Sequence, residues 1–305
     1  MFVKATKAQT RLRLALVGPS GSGKTFSALS VAKHLGARVA VIDTERASAS
    51  KYSGDVCDFD VCELDDHSPA AYVAAIEDAD AAGYDVLVID SLSHAWMGKG
   101  GALEQVDQAA KRSRSGNSYT AWRDVTPQHN RLVDALLRCR AHVIVTMRAK
   151  TEYVLQEDAK GRKVPVKIGM APVQRDGVEY EFDVVVDLYH EHNAIVGKTR
   201  CAALDGAVIN KPGAAFAATL REWLTDGAPI DTAEALVRAC ADASSAQALD
   251  EARARIKRVW SQLSEEDRQR VGAAGAQARQ RLEHPAEREP GEDDDPDWGM
   301  TGTGE

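Results

Sequence analysis

The most constraining feature of the chain is an octet, Gly18-Pro19-Ser20-Gly21-Ser22-Gly23-Lys24-Thr25, set between the apolar run Leu12 to Val17 and the helix-compatible stretch Lys24 to Leu35. It reads G-x-x-x-x-G-K-T. Glycines at these places let the backbone curl until its N–H groups face an anion, and the helix that follows presents its positive end to the same point. The pattern predicts a cradle for nucleotide phosphates, with the Lys24 ammonium reaching the β- and γ-phosphates and the Thr25 hydroxyl on Mg2+. ATP and Mg2+ are the expected ligands. A loop of this kind joins a strand to a helix, which commits the N-terminal part of the chain to an α/β fold.

The apolar runs that follow extend this pattern. Val39 to Ile42, Phe59 to Leu64, Asp85 to Asp90 and His142 to Met147 read as strands, the last two too short for helices and too continuous in their apolar interiors for a sheet with a wet face. Ser68-Pro69 is an N-cap and first helical residue, and Gly83 stops that helix near Ala82. Thr126-Pro127 reads as the start of a helix ending near Arg140. Thr151 to Gln156 and Val164 to Ile168 alternate in polarity and predict a β-hairpin with a basic tip. Strands at Phe182 to Tyr189 and Ala194 to Lys198 and a helix near Ala214 to Leu224 complete a mostly parallel, helix-flanked sheet. Three regions result: an ATPase core with a short N-terminal arm over 1–226, a helical appendage over 230–284, and an acidic tail over 285–305, whose Pro, Gly and Asp content predicts disorder.

Charge is unevenly placed. The chain carries a net charge of −8, yet residues 96–178 hold fifteen Lys or Arg against eight Asp or Glu, and residues 285–305 hold eight acids against Arg288 alone. An anionic polymer would meet the basic middle. Five cysteines, odd in number and irregularly spaced, make no disulfide framework. Cys57, Cys62 and His67 lack the spacing of a zinc site, and His190-Glu191-His192 is set aside because both histidines fall in a turn. No run is long and apolar enough for a membrane helix, and the first residues lack a signal-peptide block, so a cytoplasmic protein is expected.

Hydrolysis needs a carboxylate for the attacking water. Asp90 ends an apolar strand and is the expected second anchor for Mg2+. The next residue is Ser91, so the acidic pair of AAA+ enzymes is absent and the water-directing group must lie elsewhere. Val39 to Glu45, expected beside the strand that enters the phosphate loop, resembles the "IDTE" segment of RecA- and RadA-type recombinases. That resemblance makes Glu45 the catalytic choice. "VIDS" at Val88 to Ser91 and "VIVTMR" at Val143 to Arg148 resemble further nucleotide motifs of the same group. Thr146-Met147 stands where RecA has Asn-Gln, which makes Thr146 the expected γ-phosphate sensor. "VGKTR" at Val196 to Arg200 resembles the element that enters a neighbour's active site, so Lys198 and Arg200 are implied as trans-acting cations.

Together with "GKGGALE", "AWRDVTP", "KTEYV" and "GMAPVQRDGVEYEFD", these segments resemble phage-borne RecA-core P-loop ATPases, often labelled AAA-family proteins, over about residues 2–205. The resemblance implies a RecA-like fold, a ring or filament of identical subunits, and work on single-stranded DNA in annealing, recombination or replication. A recombination or single-strand-binding protein of the phage is an implied partner, and the bacterial host cytoplasm the implied location.

From the residues themselves, Lys111, Arg112 and Arg114, and Lys160, Arg162 and Lys163 on the hairpin tip, are the DNA-binding candidates, extended by Lys150, Lys167 and Arg175. Tyr119, Trp122 and Tyr153 are candidate base-stacking residues. His94 and Trp96 follow Asp90 and are placed to couple the nucleotide site to this basic region. Phe2-Val-Lys-Ala5 matches an F-x-x-A subunit hook. Two other classes stay open: a nucleotide-gated loader or scaffold in which binding matters more than turnover, and a small-molecule kinase with Arg112, Arg114 and Arg123 over the phosphates.

Overall fold

A computed structural model of the chain describes residues 10–112, 118–157, 163–226, 231–260 and 263–283. Two compact units divide it, Met1–Ala228 and Pro229–Glu305.

In the first unit, β1 (Arg13–Gly18), β2 (Val39–Asp43), β3 (Asp60–Glu63), β4 (Val86–Asp90), β5 (His142–Glu157), β6 (Lys163–Pro172), β7 (Val184–Leu188), β8 (Asn193–Thr199) and β9 (Val208–Asn210) form one sheet among the described residues. Its order is β3-β2-β4-β5-β1-β7-β8-β9, with β6 hydrogen-bonded to the far half of β5. The strands from β3 to β7 run parallel, whereas β8 and β9 are antiparallel additions. This is the α/β fold of a P-loop NTPase.

Both sheet faces are covered, which is why the central strands are apolar throughout. Leu14 and Leu16 of β1 face α1 (Lys24–Ala32) and α6 (Ala214–Thr225), meeting Leu29, Val31, Phe216 and Leu220. The alternate residues Ala15 and Val17 face α2 (Pro69–Ala81) and α5 (Ser118–Arg138), meeting Tyr72, Ile76, Leu132 and Leu136. The Ser68 hydroxyl accepts the Ala71 N–H and Pro69 opens α2, as the sequence predicts.

Three expectations need correction. β2 is not beside β1: β4 and β5 lie between them. Order along the chain does not give order across a sheet, and the later strand β5 fills the gap. Pro127 does not start a helix but sits inside α5. Its flanks are held by packing, with Ala121 and Val125 against Ala102 and Val106 of α4 (Ala102–Arg112), which follows the single-turn α3 (His94–Met97), and with Leu132 in the main core, which outweighs the loss of one backbone hydrogen bond. β5 does not end at Met147 but runs for 16 residues into the hairpin.

The second unit holds α7 (Ala233–Asp242), α8 (Ala246–Val259) and α9 (Glu265–Glu283) around Leu236, Cys240, Leu249, Ala252, Val271 and Ala278. Thr232, Ser245 and Ser264 each accept an early helical N–H, and the Arg281 guanidinium donates to the carbonyls of Cys240, Ala241 and Ala243, closing the C-terminal end of α7.

Candidate nucleotide site

β1 ends at Gly18 and α1 begins at Lys24, and the turn between them depends on glycine at two places. A β-carbon on Gly18 would stand 2.6 Å from the Leu188 carbonyl oxygen. Gly23, at φ 89°, is left-handed and faces the His192 ring. Within the loop, Ser22 Oγ and Lys24 Nζ both donate to the Pro19 carbonyl, at 2.9 and 2.8 Å. Burial lowers the Lys24 pKa, opposed by the nearby carboxylates of Asp90 and Glu45. The loop borders a cleft of about 810 Å3 that also takes in Glu45, Tyr52, Asp90 and Arg148.

Asp90 closes the inner end of this cleft. Its Oδ2 accepts the Thr25 hydroxyl at 2.6 Å and its Oδ1 accepts the Thr146 hydroxyl. Burial pushes the Asp90 pKa up, while the two hydroxyl donors hold it down. A hydroxyl and a carboxylate oxygen in contact are hard donors of the kind Mg2+ takes alongside phosphate oxygens. Among the described residues, no group of three or more His, Cys, Asp or Glu could hold a metal ion without such help.

Glu45 reaches the cleft from the end of β2, with β4 and β5 between it and β1. Asp43, at the end of β2, accepts the Glu45 N–H at 2.7 Å and the Ala49 N–H at 2.9 Å, which folds the intervening loop into a tight arch. Arg46 and Ala47 take left-handed φ values of 56° and 58° there. The Thr44 N–H donates to the Asp90 carbonyl at 2.8 Å and ties the arch to β4. Glu45 Oε1 pairs with Arg148 Nη2 at 2.9 Å across the cleft mouth.

A family model described as an AAA domain matches residues 10–210, which contain every group just named. The chain belongs to this AAA-domain family. The comparison with curated proteins gives no match. Family and geometry agree on a nucleotide-binding, P-loop ATPase-type domain, and no described helix is long and apolar enough to cross a membrane.

The other expected residues of the AAA domain are placed as follows. Thr146 is fully buried and its hydroxyl donates to Asp90, positioning that carboxylate. Lys198 Nζ donates to the carbonyls of Glu179, Tyr180 and Phe182 at 3.0, 2.6 and 2.7 Å, clamping the short 3-10 turn Val178–Glu181 of its own chain. Arg200 is exposed and pairs with Asp183 at 2.7 Å. Neither Lys198 nor Arg200 lines the cleft of its own chain. Lys111 and Arg112 end α4 in solvent, and Lys150 is exposed on β5. Lys163 is the first residue of β6, whereas Arg114, Lys160, Arg162, the Phe2–Ala5 segment and the acidic tail lie outside the described residues.

Several groups in and around the AAA domain's cleft escape sequence reasoning. Arg148 is one. Phe26 and Tyr52, with ring centroids 6.2 Å apart, give the cleft an aromatic wall. His192 and Lys211 enter from β7–β8 and β9–α6 connections. Behind the site, Ser93 Oγ accepts the Arg148 N–H, His94 Nδ1 lies 2.8 Å from Thr44 Oγ1, and the buried Gln174 donates to the Leu92 carbonyl while its Oε1 sits 3.2 Å from His129 Nε2. Trp96 stacks on Trp122 with centroids 5.4 Å apart, so Trp122 is engaged within the protein. His94 stacks on His67, and burial lowers its pKa.

Proposed function

We propose that this AAA domain hydrolyses ATP, with Mg2+ held by Thr25 and Asp90, and that it does so in an assembly acting on single-stranded DNA. The observation that carries the hydrolytic part is Glu45, brought by the Asp43 arch to the mouth of the cleft that holds Lys24, Thr25 and Asp90. Mg2+ supplies charge neutralisation on the phosphate oxygens when bound. Lys24 draws charge from the β- and γ-phosphates. Glu45 orients a water towards the γ-phosphorus, the bond to the β–γ bridging oxygen breaks, and ADP and phosphate leave. Arg148 competes for Glu45 until a γ-phosphate gives it another anion. The kinase reading loses ground, because a water-directing carboxylate at the cleft mouth is a liability to an enzyme that must exclude water.

The proposal for DNA is supported by Lys111, Arg112 and Lys150, all exposed, within a segment rich in Lys and Arg despite the chain's net charge of −8. They suit a phosphate backbone without base readout. For contact between subunits we favour Arg200 over Lys198, since an exposed ion pair is exchanged at a cost of about 1 kcal/mol or less and a three-carbonyl clamp is not. The in-chain engagement of both residues is the observation that favours the second reading, a nucleotide-gated loader or scaffold. Measuring ATP turnover and particle mass with and without single-stranded DNA tests the choice. Stimulation together with assembly supports the first proposal; no change in either moves the conclusion to the second.

A further inference from the structure

Four non-glycine residues among those described have left-handed backbone: Arg46, Ala47, His192 and Lys211. All four fall on segments that border the nucleotide cleft. The first two form the Glu45 arch. The other two, at φ 59° and 49°, belong to loops that no expected role explains. Such conformations cost about 1–3 kcal/mol each and persist where surrounding contacts enforce them.

The enforcing contacts are specific. The His192 N–H donates to the Tyr189 carbonyl and the Lys211 N–H to the His192 carbonyl, at 3.0 and 2.9 Å. Asn210 Nδ2 donates to the Glu191 carbonyl and to Asn193 Oδ1, fastening the two loops together. His192 Nδ1 lies 3.2 Å from the Ser22 carbonyl. A carbonyl only accepts, so Nδ1 carries the hydrogen and the ring is held edge-on against the phosphate loop. The space beside Gly23 is filled by this ring, with Nδ1 3.0 Å from where a β-carbon would stand. Lys211 is exposed, lines the cleft and, among the described residues, has no carboxylate within ion-pair distance.

We infer that Lys211, held in place by the His192 loop, forms a cationic lip, supplied by the same chain, that binds the α- and β-phosphates of the nucleotide. His192 abuts Ser22 and Gly23 and its carbonyl holds the Lys211 N–H, and the backbone of a loop of this type cradles the α- and β-phosphates. It therefore holds the part of the ligand that ATP and ADP share, whereas Arg148 and Glu45 lie at the mouth where only a γ-phosphate distinguishes them. The inference rests on the nucleotide-site reading and adds two residues to it.

Calorimetric titration of the full chain with MgADP and with a magnesium complex of a non-hydrolysable ATP analogue tests it. Lys211→Ala is expected to weaken both ligands about tenfold, the loss of one charge-assisted hydrogen bond. Lys211→Gly relieves the backbone strain and is expected to lose the same affinity. His192→Asn, which tolerates left-handed backbone and keeps a donor for Ser22, is expected to bind better than His192→Ala. Wild-type affinity in Lys211→Gly, or a loss confined to the ATP analogue, overturns the lip. If Lys24→Ala binds MgADP as well as wild type, the nucleotide-site reading fails instead.

Discussion

Arg148 Nη2 and Glu45 Oε1 stand 2.9 Å apart, joining the strand that leads into the basic hairpin to the arch that carries the proposed catalytic carboxylate. The pair is partly exposed, so it is weak enough to be broken by a competing anion. Glu45→Gln removes the base and the ion pair together. It is expected to bind ATP while turnover falls by about 10²-fold or more, read by phosphate release under saturating ATP. Arg148→Ala is expected to leave ADP affinity intact and to weaken the ATP analogue about tenfold.

Thr146 holds Asp90 from behind. Thr146→Val keeps the shape and deletes the hydroxyl donor to a buried carboxylate. Stability should fall by about 1–3 kcal/mol in thermal or denaturant unfolding, and the Asp90 pKa should rise further. More Mg2+ should be needed for half-maximal turnover.

Lys198 and Arg200 are separable by stability. Lys198→Met leaves the three carbonyls of the 178–182 turn without their donor and is expected to cost about 1–3 kcal/mol. Arg200→Ala breaks an exposed ion pair and should change the melting temperature little. A loss of turnover in Arg200→Ala, with folding intact and rescue in mixed assemblies, marks a contact between subunits; unchanged turnover removes it.

His142 gives the core a defined acid limit. Its Nδ1 accepts the Leu12 N–H at 3.0 Å, so the neutral ring is the one the fold uses. Burial, with Arg11 and Arg13 nearby, lowers its pKa from 6.5 to about 4. The unfolded chain thus takes up a proton that the folded chain refuses. Stability is fully present above about pH 6.5 and declines as pH falls towards 4, by up to about 3 kcal/mol from this residue. His142→Gln should flatten the melting temperature between pH 7 and 5.

Much of this was legible in the residues alone, for identifiable reasons. The phosphate loop is local, and the strands around it are continuous apolar runs because both faces of the sheet are covered. The Ser68-Pro69 start of α2 is likewise decided within one turn. Pro127 misleads because its helix is held by packing that a local rule does not weigh. The cleft's Arg148, His192 and Lys211 were invisible because they depend on approach across the fold. Glu45 and Arg148 are 103 positions apart, and His192 and Ser22 are 170. No short-range pattern encodes such meetings; strand order does, and that emerges only when the sheet closes.

β5 joins the nucleotide cleft to the hairpin. One uninterrupted strand starts beside Arg13 at the N-terminal end of β1, comes level with the start of the phosphate loop at Arg148 and ends in the hairpin, with its register against β6 shifting between Glu152 and Tyr153. The chain between the nucleotide cleft and the hairpin is therefore a single strand, without an intervening loop, and its one change of register against β6 falls beyond Arg148.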